Sequence, residues 1–126
     1  LTTPEAQAEV HRHNLGVLML HEARAIDALA LQLHIANVRR DRLPRRRLAH
    51  TDILARSLPA VPCPVHAIYG AHDAVYRGYI ERLEDAFALA APDFRGLQLI
   101  AGAGHWVQFE APQAFDAALA RVLAEN

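Results

Sequence analysis

Apolar and polar positions along the chain fall into two textures. Through about residue 58 the apolar positions recur at three- and four-residue spacing, the period of helices packed along one face. The stretch from Pro4 to Leu20 predicts a helix: Thr2 or Thr3 can cap it, Pro4 suits its first turn, and Leu15, Leu18 and Met19 share a face. A second helix is expected from Ala23 to Arg39. Ile26, Leu29, Leu33 and Ala36 mark one apolar side of it, and Leu31, Ile35 and Val38 mark another. A helix apolar on two sides is usually sandwiched between other elements. Pro44 and its neighbouring arginines break the pattern, and a short helix from Thr51 to Leu58, capped by Thr51 or Asp52, closes this part.

From residue 59 the texture changes. Pro59, Pro62 and Pro64 lead into Val65-His66-Ala67-Ile68-Tyr69, a short apolar run ended by Gly70 that reads as a buried strand. A helix from Gly78 to Ala91 follows, with Ile80, Leu83, Phe87 and Ala90 inward and Pro92 as its stop. Leu97-Gln98-Leu99-Ile100-Ala101 reads as a second strand running into Gly102-Ala103-Gly104. A last helix, Pro112 to Ala124, is expected to bury Phe115, Ala118, Leu119, Val122 and Leu123. The order strand, helix, strand, helix makes the two strands parallel neighbours joined by a right-handed crossover. Two parallel strands do not make a stable sheet alone, and a bare apolar edge remains. More sheet must come from a missing N-terminal portion or from a partner chain. A bare edge also invites association of copies, a homo-oligomer of open stoichiometry.

Composition adds bounds rather than function. The 126 residues suit one modest core, with 52% apolar residues, 21% charged residues and a formal net charge of −1. No apolar run reaches the roughly 20 residues that span a bilayer, and the first residues lack the basic start and apolar core of a signal peptide. The only methionine is Met19, so processing or an absent N-terminal portion is expected to explain the start. The single cysteine, Cys63, forms no intrachain disulfide and fits a reducing, cytoplasmic compartment. All 13 basic residues are arginine, which reads as the coding bias of a GC-rich bacterial genome.

Chemistry concentrates at one place. Reactive groups in open α/β sheets gather beyond the carboxyl ends of the strands. Asp73 lies four residues past Tyr69 and His105 four residues past Ala101. Neighbouring strands run roughly 4.8 Å apart, so equal offsets bring both side chains to one rim of the sheet. An Asp that fixes an imidazole's tautomer and stabilises its protonated form is the orienting half of a catalytic triad. Taken singly, Gly-x-x-Asp after a strand is more often a turn, and a lone histidine is more often structural. The matched pair, acid first and then base, each after a parallel strand, favours the catalytic reading.

Tyr69-Gly70-Ala71-His72-Asp73, followed 31 residues later by Gly104-His105-Trp106-Val107-Gln108-Phe109-Glu110-Ala111-Pro112, resembles the closing strands of α/β-hydrolases. The resemblance implies a fold class: α/β, the C-terminal part of that fold, with residues 1–58 as a helical cap or lid and residues 59–126 as the end of the core. Gly-His-Trp-x-Gln-x-Glu is similar to hydrolases of ring-fission products that cleave carbon–carbon bonds (meta-cleavage product hydrolases). Epoxide hydrolases and haloalkane dehalogenases carry related versions. The resemblance implies Asp73 as orienting acid and His105 as general base, acting on a small molecule such as a vinylogous diketone or a carboxylic ester. The family's nucleophile elbow, usually Gly-x-Ser-x-Gly, is absent, as is the oxyanion hole that accompanies it. The only serine, Ser57, lies on the helix before the first strand. Cys63 lies at the opposite end of that strand from Asp73, five residues at ~3.3 Å each away. The chain alone is therefore expected to be inactive. Two alternatives stay open: an Asp nucleophile, giving epoxide or haloalkane hydrolysis, and a non-catalytic ligand-binding or sheet-completing module.

The remaining features carry less. His11-Arg12-His13 invites a metal reading, but residues two apart on a helix do not face each other and no Cys or carboxylate completes a set. No metal or cofactor is expected. His21, His34, His50 and His66 read as polar contacts of cap or core, and His72 as a solvated loop residue. The run from Arg39 to Arg47 lacks interleaved aromatics, which argues against nucleic acid and for a solvated loop; one of its arginines reaching a substrate carboxylate is the minority reading. Trp106, next to the base, is expected to line the substrate pocket. Phe109 and Glu110 are expected to anchor the turn and the start of the last helix.

Overall fold

The computed structural model describes residues 3–42 and 51–125. Local chemistry sets where its elements begin. Thr3 accepts the Ala6 N–H at 3.2 Å and Pro4 occupies the first turn, so α1 (Pro4–Asn14) starts there. It continues as a π-helical turn, Leu15–Met19, that carries the fully buried Leu15 and ends at extended Leu20. The second helix, α2 (Ala28–Arg40), begins five residues later than the apolar pattern places it, behind a 3₁₀ turn at Ala23–Ala25. The reason is Asp27, whose carboxylate accepts the Ala30 N–H at 2.8 Å and caps the helix.

A short α3 (Ile53–Ser57) and a 3₁₀ turn at Leu58–Ala60 lead to β1 (Val65–Gly70). Then come 3₁₀ turns at Ala74–Tyr76 and Ile80–Arg82, α4 (Leu83–Ala90), β2 (Phe94–Ile100), a one-turn α5 (Val107–Glu110) and α6 (Pro112–Ala124). The single helix expected from Gly78 is instead divided. Gly78 adopts φ 80°, a left-handed turn conformation, and regular α-helix starts only at Leu83. β2 starts three residues before Leu97 and stops at Ile100, leaving Ala101 in the turn.

β1 and β2 pair in parallel, from His66↔Gly96 to Gly70↔Ile100, with an irregularity at Val65/His66 opposite Gly96 at φ 129°. They form the one sheet among the described residues, so each strand keeps one edge without a strand neighbour there. The architecture is α/β in the broad sense: helices around a small parallel pair.

Two apolar clusters organise the packing. Ile100, Ala103, Val107 and Ala118, with Ile68, Ala111 and Phe115 against them, join the sheet to α6. Leu15, Leu20 and Ala30, with Met19, Ile26, Leu31, Trp106 and Phe109, join the helical segment to the chain after β2. α2 is not sandwiched: it buries Ala30, while Leu29 and Val38 are about half exposed. On α6, Ala118 is buried but Leu119 and Leu123 face outward, because no described element covers that side. Among the described residues, no helix is long and apolar enough to cross a membrane.

Gly70 ends β1 where a Cβ would overlap the carbonyl oxygens of Gly104 and Ala103. Gly70→Ala is therefore expected to destabilise the chain by about 3 kcal/mol, read from urea denaturation. Tyr69 offers an independent check. Burial first, then nearby Tyr76, push its phenol up to about 12, whereas an unfolded tyrosine ionises near ~10. The folded state keeps the proton through that window, so stability holds below about pH 10 and falls as pH rises towards about 12. Denaturation midpoints measured across this range should show the decline, and Tyr69→Phe should remove Tyr69's share of it.

Candidate active site

Two loops meet at the carboxyl end of the strands, one after β1 and one after β2. Backbone bonds lock them: Ala71 N–H donates to Ile100 O at 2.9 Å, and His72 N–H donates to Ala103 O at 2.9 Å. Between them lies Asp73, 3% exposed and the one buried charged residue among those described. Its two oxygens do different work. Oδ1 accepts the Val75 N–H at 2.9 Å and shapes the turn; Oδ2 lies 2.8 Å from His105 Nδ1.

The offsets that bring the pair together are not equal. Asp73 lies three residues beyond Gly70, the end of β1, and His105 lies five beyond Ile100, the end of β2. The longer second loop turns at Gly102 (φ 69°), which returns the chain to the rim before His105. An ionised carboxylate beside Nδ1 places the ring proton there and leaves Nε2 as the accepting nitrogen. The His105 side chain is 40% exposed. It lines a cavity of about 220 Å³ with Met19, Leu20, His21, Arg77 and Gly104. A second cavity of about 300 Å³, sharing His21, His72 and Arg77 with the first, is lined by Asp73 and Tyr76.

The loop that carries His105 is fastened to the helical segment by Glu110. Its Oε2 accepts the N–H groups of Gly104 at 2.6 Å and His21 at 3.1 Å, and its Oε1 accepts Glu22 N–H at 2.6 Å. Trp106 N–H adds a bond to Met19 O at 2.8 Å. Close approach demands Gly104, since a Cβ there would lie 2.8 Å from His21 N and 3.0 Å from Met19 O. Sequence reasoning assigned Glu110 to the turn and the start of the last helix; the structure has it accept one N–H of that turn, from Gly104, and two more from His21 and Glu22, over 80 residues away.

Trp106, expected beside a substrate pocket, is placed among apolar neighbours. Its indole stacks on Phe109 at 4.7 Å and packs against the Leu15, Leu20 and Ala30 cluster, and it lines neither cavity beside the pair. Burial there removes aromatic surface from water, which a polar cavity wall would not do. His21 and His72, read as unrelated polar residues, stack face to face at 3.8 Å with planes 8° apart, and both line the two cavities. Only tertiary docking reveals that pairing, because the residues lie on separate segments.

The other polar candidates sit elsewhere. Ser57 Oγ donates to Ile53 O at 2.7 Å within α3, and exposed Cys63 precedes β1 at the strand end away from Asp73. Among the described residues no set of three or more His, Cys, Asp or Glu is placed to hold a metal. His11 meets His34 edge-on at 5.2 Å, across two helices, rather than its neighbour His13. Burial, then the neighbouring His11, hold His34 below the usual imidazole range. Arg45, Arg46 and Arg47 of the arginine run, and His50, fall in residues 43–50, outside those described.

Glu110→Gln keeps the shape but leaves one acceptor oxygen and sets an NH₂ donor against at least one of the three N–H groups. It should cost about 2 kcal/mol in denaturation and speed amide hydrogen exchange at His21, Glu22 and Gly104 together. Unchanged exchange at these three would show that the carboxylate does not hold the segments together. Comparison with protein-family models, with curated proteins and with solved structures finds no match to this chain.

Proposed function

We propose that this chain supplies the acid–base half of an α/β-fold hydrolase, with the nucleophile delivered by an upstream segment of the same polypeptide or by a partner chain. The observation that carries the reading is the 2.8 Å contact between His105 Nδ1 and the buried Asp73 carboxylate, beyond the ends of two parallel strands.

In this reading Nε2 of His105 takes the proton from a hydroxyl or a water as its oxygen attacks the substrate carbonyl carbon. The imidazolium forms against Asp73, which stays ionised and holds the ring in place. The same nitrogen then returns the proton to the leaving group, an alkoxide oxygen in an ester or a carbanion carbon in a vinylogous diketone. The substrate class favoured is a small carbonyl compound of either kind. Tight turns on both loops support the assignment, because they hold acid and base in place before any substrate arrives.

The test is to assemble the chain with a segment bearing a strand-to-helix nucleophile elbow, taken from upstream in its gene, and to follow p-nitrophenyl ester hydrolysis. Turnover should depend on both parts, and His105→Ala should lower kcat by at least about 10³-fold while leaving ester binding largely intact. Equal kcat with and without the imidazole would sink the reading.

A further inference from the structure

We propose that Arg77, His21 and His72, which line both the cavity beside His105 and the cavity beside Asp73, form a carboxylate-binding subsite there. The proposal rests on the hydrolase reading only for where the carboxylate comes from; the subsite itself stands on geometry.

Arg77 follows the turn of Asp73 and is exposed, and among the described residues no carboxylate lies within ion-pair distance of it. Arg12, Arg24, Arg56 and Arg95 each face an acid within 4.0 Å. Arg77 instead faces the two cavities that flank the pair, and it lines both together with His21 and His72. The stacked imidazoles make this edge unusual. Their planes are nearly parallel, so ring N–H groups point outward in the ring planes and not at each other. One ring comes from the helical segment and the other from the loop of Asp73, so the two rings and Arg77 share the cavity walls only in the docked fold.

Acids nearby do not occupy these donors. Asp73 lines one cavity, but its two oxygens are engaged by Val75 N–H and His105. Glu22 reaches His21 Nε2 only at 4.0 Å and also faces Arg24 at 3.8 Å. A guanidinium fork with two in-plane imidazole donors matches a planar oxyanion, and a carboxylate is the planar oxyanion that Arg binds in bidentate fashion. Two sources fit: a carboxylate borne by the substrate, or the acid that hydrolysis releases.

Acetate is the probe. Titrated into the 126-residue chain, it should move the ring-proton NMR signals of His21 and His72 along a saturable curve and leave those of His11 and His34 in place. Arg77→Gln, at an exposed position without an ion pair, should weaken acetate binding about tenfold, and Arg77→Lys should restore part of it. Equal acetate affinity in wild type and Arg77→Gln overturns the subsite. The assembled enzyme then separates the sources. A raised KM for p-nitrophenyl hemisuccinate but not for p-nitrophenyl butyrate in Arg77→Gln identifies a substrate carboxylate. Loss of acetate inhibition with both KM values unchanged identifies a released acid. Acetate binding through Arg77 in an assembly without esterase activity upholds the subsite and refutes the hydrolase reading.

Discussion

The carboxylate of Glu110 is the interaction on which the rest of the molecule depends. Three backbone N–H groups from two distant stretches converge on its two oxygens, and no other side chain described here gathers so many donors. Such groups would be expensive to leave without partners in a closely packed joint. By satisfying them at one point, Glu110 decides how the helical segment lies on the loop that carries His105. The Leu15 and Leu20 cluster then fills in around that decision, with Trp106 and Phe109 as its aromatic wall. Polar geometry sets the register of the joint and apolar burial supplies its strength.

The same joint explains why the cavities lie where they do. Residues 16–21 form one wall of the space beside His105, and the loops after β1 and β2 form the others. A small shift of the helical segment would change the shape of that space without touching the Asp73–His105 contact, which the two loops hold between themselves. The Asp73–His105 contact and the shape of the space beside it are therefore set by different contacts.

How much of this was legible in the sequence differs residue by residue. Asp73 and His105 could be found because each follows a short apolar strand, and strands of a parallel pair share a rim. Their offsets were misjudged because β1 runs one residue further, through Gly70, and β2 stops one residue sooner, at Ile100, with Gly102 turning the longer second loop back to the rim. The start of α2 was missed because the apolar pattern extends back past Asp27, and only the capping bond reveals where the helix begins. Trp106 could not be placed from its neighbours: its environment is made by Leu15 and Leu20, far away in the chain. The Glu110 clamp and the His21–His72 stack have no local signature at all, being products of docking.

Asp73 divides its labour between two oxygens, one for the backbone of its own turn and one for the imidazole. That division lets shape and polarity be separated. A carboxamide in its place could keep an oxygen towards Val75 and turn its NH₂ towards the ring, preserving the loop while exchanging donor for acceptor across the contact. The imidazole would then be obliged to carry its hydrogen on the outer nitrogen, presenting a donor where the cavity now meets an acceptor. Fold and site would look the same in outline, with donor and acceptor exchanged at the ring's outer nitrogen.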